Sequence, residues 1–307
     1  MSTRRAGGFR FDHGAQYFTA RDARFRAEVG AWRSAGVVEP WNGRIAVVNR
    51  GEIGSTDDAT ERYVGVPGMN EVCRHLAVGL DVLPDTLVVH LDRYEWAWRL
   101  TADDGTDLGR FDAVVVTAPG PQTAALLTDA APGLSERVAG VEMAPCWAVM
   151  VGFGESIELG FDGAFVYDSP LSWVARNTSK PGRPSDESWV LHGSPEWSAE
   201  HLELDAEIAA HRLTDAFRHA VGRDLPAPVH LVAHRWRFAL PIRPLPEPCL
   251  FDRELALAAC GDWAGGPRVE GAYLSGCAAA ARLLESRAGP ACRRAEGPCL
   301  DLKTERT

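Results

Sequence analysis

The segment that most constrains this chain runs from Leu255 to Ser286. An apolar run, Leu255 to Cys260, leads into Gly261-Asp262, then a loop with Gly265 and Gly266, then a helix rich in small residues from about Val269. Strand, glycine turn and helix in that order form the unit of parallel, doubly wound sheets, whose ligands sit beyond the carboxyl ends of the strands. Asp262 stands at such an end, where a carboxylate accepts hydrogen bonds from sugar-type hydroxyls. The glycines, Gly261 and Gly271 among them, let backbone approach a flat or phosphorylated ligand. Unpaired N–H groups near Val269 and Glu270, at the positive end of a helix, suit a group that becomes negative on reduction. Gly271, Ala272, Ser275, Gly276 and Ala279 are small, which allows close helix–sheet packing. The same pattern also fits a glycine-rich loop before a well-packed helix that holds no ligand.

At 307 residues the chain has room for two domains, or one large one. A core of that size needs neither disulfides nor a structural metal. A net charge of −10 and a pI near 5.4 argue against non-specific nucleic-acid or anionic-membrane partners. No apolar stretch approaches the roughly 18–20 residues of a membrane span. The basic start, Met1 to Arg5, runs into the mixed Phe9-Arg10-Phe11-Asp12-His13, which is not a signal peptide. The 7 cysteines are odd in number, widely spaced and free of C-x-x-C, as expected of a reduced cytoplasmic chain.

Periodicity predicts helices over Asp22–Ala35, with Phe25, Val29 and Trp32 inward, over Met69–Leu80, and over Asp205–Val221, closed by Gly222. The apolar positions of the last are Ile208, Leu213, Ala216, Phe217 and Ala220. Gln122 to Leu127 starts a further helix. Strands are expected at Ile45–Val48, Leu87–His90, Ala97–Leu100, Trp147–Phe153, Trp189–His192 and Val229–Ala233. Asp112–Ala118 and Leu255–Cys260 read as strands buried on both faces. Pro241 to Pro248 is a connector, and from Ala288 the chain reads as a mobile tail.

Asp262 to Ala280 resembles the C-terminal flavin-binding segment of the flavin amine oxidase superfamily. More narrowly, the chain resembles bacterial renalase-like FAD oxidoreductases. The matching stretches are Asp12 to Arg21, Gly65 to Met69, Val114 to Pro119 with Gln122, Asp168-Ser169-Pro170 with Trp173 and Ala175-Arg176-Asn177, Glu196-Trp197-Ser198, and His234-Arg235-Trp236. Each is weak alone; in order, they span nearly the whole chain.

The resemblance implies an α/β flavoprotein: a discontinuous, doubly wound FAD domain (1–14, 67–125 and 248–287) and an α+β substrate domain with an antiparallel sheet (15–66 and 126–247), then a tail over 288–307. The family begins with a strand, a G-x-G-x-x-G turn and a helix that hold the ADP half of FAD. Met1 to Arg5 looks like the end of the segment that follows them, so roughly 40 residues, including the first strand and dinucleotide turn, are expected to precede it in the full family pattern. Gly152-Phe153-Gly154 is the nearest substitute, and no helical pattern follows it.

By resemblance, Arg4, Gly14, Ala15, Val88, Thr117, Pro119, Gly261, Asp262, Arg268, Val269, Glu270, Gly271 and Ala272 are the cofactor-binding candidates. Gln16, Tyr17, His234 and Trp236 are candidates for lining the site, with a core tryptophan as the alternative for Trp236. No acid or base is nominated. The implied reaction is hydride transfer to FAD, with O₂ as the acceptor. The implied substrate is a dihydronicotinamide isomer of NAD(P)H, with a primary or secondary amine as the alternative. A non-catalytic relic, or a module completed by another chain, is the alternative of a different class. His230 and His234 share one strand face, but no carboxylate or cysteine completes a metal set. G-x-S-x-G, H-E-x-x-H and P-loop patterns do not occur.

Overall fold

The computed structural model of the chain describes residues 1–56 and 59–288. It opens with a hairpin, β1 (Thr3–Ala6) and β2 (Phe9–Asp12), turned at Gly7 with φ +57. Helix α1 (Ala23–Ser34) is capped by the Asp22 carboxylate, which accepts the Arg24 N–H, and it buries Phe25, Val29 and Trp32 as their spacing predicts. Strands β3 (Val38–Pro40), β4 (Ile45–Asn49), β5 (Glu52–Ser55) and β6 (Tyr63–Gly65) follow, β3 pairing with β6. Helix α2 (Glu71–Leu76) is shorter than the expected Met69–Leu80 helix. Beyond it Val78 and Leu80 find no core to pack on and are 79% and 68% exposed, so nothing sustains further turns.

A meander of β7 (Val88–Tyr94), β8 (Ala97–Ala102) and β9 (Asp107–Phe111) leads to β10 (Val114–Val116), α3 (Gly120–Leu127) and α4 (Pro132–Ala139). Then come β11 (Met143–Phe153), β12 (Gly163–Tyr167), β13 (Leu171–Arg176), β14 (Ser188–Gly193), α5 (Pro195–Glu200), α6 (Ala206–Val221) and β15 (Pro228–Pro241). The described chain ends with β16 (Leu250–Asp252), β17 (Leu257–Ala259) and α7 (Val269–Ala288). Beyond Ala288, the expected tail, with Cys292 and Cys299, lies outside the described residues.

The largest sheet has seven strands in the order β15-β11-β14-β13-β12-β4-β5. Its pairings are antiparallel except β12 with β4. One face packs on α6: Val149, Val151, Trp189, Leu191 and Val174 meet Ala209, Leu213 and Phe217 in the main core. The α6 pattern is amphipathic, Asp205 caps its start, and Gly222 at φ +64 closes it, a conformation that favours glycine. Ile208, expected inside, is 47% exposed, because it lies on the outer edge of the helix. The opposite face carries Met150, Val190 and Val232, which pack on Phe9 and Phe11 of the opening hairpin.

A second sheet, β10-β17-β16, pairs β10 and β17 in parallel, the signature of a wound α/β unit. Leu257 and Ala259 of β17 are buried with Trp98, Leu127 and Trp263. The expectation that β10 is buried on both faces is corrected: Val116 is inside, but Val115, which alternates to the opposite face, is 41% exposed. The fold is mixed α/β.

Candidate active site

The floor of the site is the carboxyl end of β17. The Cys260 N–H donates to Val116 O, the Gly261 N–H to Ser275 Oγ at 3.0 Å, and the Trp263 indole N–H to Ala118 O at 3.0 Å, which pins the loop over both parallel strands. Gly271 is needed for packing, because a Cβ there would run into the Gly266 carbonyl. The first backbone bond of α7 is Ala272 N–H to Arg268 O. The N–H groups of Val269, Glu270 and Gly271 therefore have no intrahelical acceptor, at the positive end of a 20-residue helix. Burial pushes the Asp262 carboxyl up, against the pull of backbone N–H groups at Asp262 and Trp263. Among the described residues no side-chain donor meets it.

The turn after β2 forms the wall. Ala15 and Tyr17 join Val269, Tyr273 and Trp173 in one apolar cluster. A Cβ on Gly14 would lie 3.2 Å from the Ser2 nitrogen, so backbone passes backbone closely there. The Tyr17 ring sits 5.4 Å from Trp173 and 6.1 Å from Trp41, with the Arg62 guanidinium 5.1 Å over it.

The ceiling is the second face of the large sheet. Cross-strand register sets His234, Ala148, His192, Trp173 and Phe165 in one row across five strands, and Cys146 pairs with Trp236 beside them. The Trp236 indole donates to His13 O at 2.9 Å, and the His13 ring stacks on it at 5.4 Å. His13 also meets His234 edge-on at 5.1 Å. Burial, then His234 and Arg4, hold the His13 imidazole down to about 4; burial, then Lys180, hold His192 down to about 4. Both rings are neutral at ordinary pH. Burial pushes the Cys146 thiol up to about 12, so it is not a nucleophile.

Wall and ceiling are joined by a buried ionic cluster. Asp12 Oδ2 accepts Arg183 Nη2 at 2.6 Å and faces Lys180 Nζ at 3.4 Å. Its Oδ1 accepts the Thr3 hydroxyl at 2.7 Å and the Met69 N–H at 3.0 Å. Lys180 also donates to Gln16 Oε1 at 3.0 Å, and the Gln16 amide nitrogen meets Asp12 O and, at 3.4 Å, His192 Nε2.

The structure thus sets Ala15 and Tyr17 in one cluster with Val269, with Gly14 in the same turn, Gln16 bonded to Asp12 O and Trp236 to His13 O, while Gly261, Asp262 and Gly271 lie in the loop and first turn around Val269. Glu270 is there too, but its carboxylate is committed, accepting the Arg21 and Asp22 N–H groups at 2.7 Å each. Arg268 and Ala272 are exposed, and Thr117 is exposed at the end of β10. Pro119 caps α3, and Val88 packs against the core beneath the second sheet. Arg4 lies by His13, His230 and His234, where it depresses all three imidazoles. Gly152 is inside β11, where a Cβ would crowd the Phe9 ring, and is no dinucleotide turn. Arg237 pairs with Glu203 on the surface. Among the described residues no His, Cys, Asp and Glu group fits a metal, and the cysteines are free thiols. Sequence reasoning missed Lys180, Arg183 and His192; the buried charge of Lys180 leaves no periodic signal.

The sequence model of the family described as flavin containing amine oxidoreductase matches residues 45–284, more than half of the chain. The chain belongs to that family. As a flavin amine oxidoreductase it is an FAD-dependent oxidoreductase. Its residues fit the flavin: N–H groups without an intrahelical acceptor open α7, a half-buried carboxyl with no side-chain partner among the described residues stands at the end of β17, and Ala15, beside Gly14, shares a cluster with Val269. The fold is shared at low identity. A protein from Exiguobacterium sp. 255-15, provisionally named a protoporphyrinogen oxidase, superposes with a TM-score of 0.70 at 13% identity over 92% of this chain and 90% of its own. An oxidoreductase from Methanosarcina mazei (TM-score 0.53, 16% identity) is matched over 72% of this chain and 56% of its own. A double mutant of putrescine oxidase (0.53, 16%) is matched over 74% of this chain and 54% of its own. No described helix is long and apolar enough to cross a membrane.

Proposed function

We propose that this flavin amine oxidoreductase oxidises a dihydronicotinamide isomer of NAD(P)H to NAD(P)⁺, with O₂ as the electron acceptor. Charge carries the reading. The ceiling row His234, Ala148, His192, Trp173 and Phe165 contains no carboxylate, nor does the adjoining pair Cys146 and Trp236. The carboxylates beside it are taken: Asp12 by Arg183 and Lys180, Glu270 by the start of α1. An ammonium substrate would find no counter-ion on this ceiling, whereas a neutral ring finds aromatic side chains there.

FAD, when bound, supplies the hydride acceptor and delivers the electrons to O₂ as H₂O₂. The chain's residues bind and orient. Tyr17 and Trp236 offer flat apolar faces to a ring, with Trp173 packed behind Tyr17. The N–H groups of Val269, Glu270 and Gly271 would face the edge that gains negative charge, with Asp262 toward the sugar-like hydroxyls and Gly14, Ala15 and Gly261 allowing close approach. His13 and His192 are held neutral, so no charged general acid stands over the site. Arg4, Val88, Thr117, Pro119, Arg268 and Ala272 remain proposals for the rest of the cofactor.

The family's description favours a second reading, oxidation of a primary or secondary amine. The test is anaerobic mixing of the FAD-loaded chain with each substrate class while the visible flavin band is followed. Bleaching by dihydro isomers of NAD(P)H, and not by amines, is expected. Bleaching by amines alone would overturn the proposal.

A further inference from the structure

Lysine is almost absent from this chain. Of its 32 basic residues, all but Lys180 and Lys303 are arginines. Lys180 is the sole lysine among the described residues, and its side chain is wholly buried. Its ammonium donates to Gln16 Oε1 at 3.0 Å and Asn177 Oδ1 at 3.1 Å, faces Asp12 Oδ2 at 3.4 Å, and lies 5.6 Å from the Trp41 ring centre. Arginine serves nearly everywhere else, but arginine does not lose its proton and lysine does.

The charged and titratable groups that face Lys180 are Asp12 from β2, Arg183 from the same loop and His192 from β14, with His13 behind His192. Gln16, Asn177 and Trp41 are neutral. One carboxylate against two cations leaves net positive charge in a buried place, and Lys180 is the cation able to shed it. Burial, with Arg183, lowers the ammonium to about 8 despite Asp12.

We propose that Lys180 is a positioning residue acting through Gln16: while protonated it holds the Gln16 carbonyl oxygen, turns the amide nitrogen toward Asp12 O and His192, and so fixes the Gly14–Tyr17 turn under the sheet. When the proton passes to water, the charge-assisted bond becomes a weaker neutral one and the turn loosens. The functional part rests on that turn lying against FAD.

The test uses the full chain with lysine carrying ¹³C at Cε. NMR is expected to show one lysine signal that titrates near pH 8 and is missing from Lys180→Met. Across the same range, FAD affinity by fluorescence titration should fall about tenfold, the weight of one charge-assisted hydrogen bond. In Lys180→Arg the affinity should stay level, because that cation keeps its proton. A buried lysine with only a structural role would not create a pH step that arginine abolishes. Titration of Lys180 at an ordinary lysine value, or an alkaline fall in FAD affinity that survives in Lys180→Arg, overturns the proposal. Should the Lys180 variants fail to fold, Gln16→Leu decides: the lysine midpoint should drop further and the pH step in FAD affinity vanish, and an unchanged step overturns it. No readout uses a substrate, so failure of the proposed reaction is separately visible.

Discussion

The two sheets of this molecule are finished to different degrees. The seven-stranded sheet is covered on one face by α6 and on the other by the opening hairpin and the wall of the site, and Val149, Val151, Trp189, Val190 and Leu191 are fully buried. The three-stranded sheet has one parallel pairing, which belongs to sheets covered on both faces, yet its edge strand β10 exposes Val115, and the segment between α2 and β7 exposes Val78, Leu80, Val82, Leu83 and Leu87. The lesson is a division of labour. The large sheet carries its own stability, while the second sheet, which holds the end of β17 and the start of α7, is held by fewer buried contacts. Stability and cofactor binding are therefore expected to respond to different residues.

The largest effects should come from the large sheet and from the hub that ties it to the floor. Trp189→Ala removes a fully buried ring from the main core and should cost about 3–5 kcal/mol, read from the urea midpoint. Asp12→Ala strands Arg183 and Lys180 without their carboxylate and should cost a similar amount, about 3–5 kcal/mol. The two differ in a second readout. FAD affinity per folded molecule should survive Trp189→Ala and fall in Asp12→Ala, whose carboxylate also holds Thr3 and Met69. Equal loss in both would break the comparison.

Next comes the ligand. FAD at one hundred times its Kd should raise stability by about 2.7 kcal/mol, seen as a higher Tm. Because the gain arises at the second sheet, hydrogen exchange should slow most in β10, β17 and the first turn of α7. Uniform slowing would mean that both sheets unfold as one unit.

Much of this division is legible in the sequence. The helices α1 and α6 follow from apolar spacing and caps, and the β17–α7 unit from an apolar run ending in Gly261-Asp262. The strands β12 and β13 are less visible, because they are short and meet at Asp168, a non-glycine residue at φ +51. Strand β9 is hidden by Gly109 and exposed polar residues. The ceiling row is assembled from five strands whose register no single segment encodes, so His192 and Trp173 meet Gln16 and Tyr17 only through tertiary pairing. Glu270 shows the reverse case: its place at a helix start is readable, but the commitment of its carboxylate to Arg21 and Asp22, some 249 residues away in sequence, is not.

Acid should act through the site. His13 and His192 sit at about 4 when folded, against 6.5 when unfolded. As pH falls from 6.5 toward 4, the unfolded chain binds protons that the folded chain refuses, so stability declines; above 6.5 these two groups add no slope. Urea midpoints across that range should fall for the native chain and fall less steeply for His192→Phe. The core around Trp189 has no part in this, so Trp189→Ala should displace the curve without changing its slope.

The smallest effect on stability should come from the open face. Leu83→Glu and Val115→Thr alter exposed side chains, and each should move the urea midpoint by no more than about 0.5 kcal/mol in stability. Their effect should appear in association instead, because exposed apolar side chains, and for Val115 an unpaired strand edge, favour sticking to other chains. Light scattering at raised concentration should drop in both variants, and dye binding to apolar surface should drop with it. A charge placed on the well-covered side, at exposed Ile208 on α6, gives the control: it leaves the contacts of α6 with the large sheet in place and should change neither readout. If Leu83→Glu instead destabilised the chain by several kcal/mol, that residue would be packed in solution, and the second sheet would be as closed as the first.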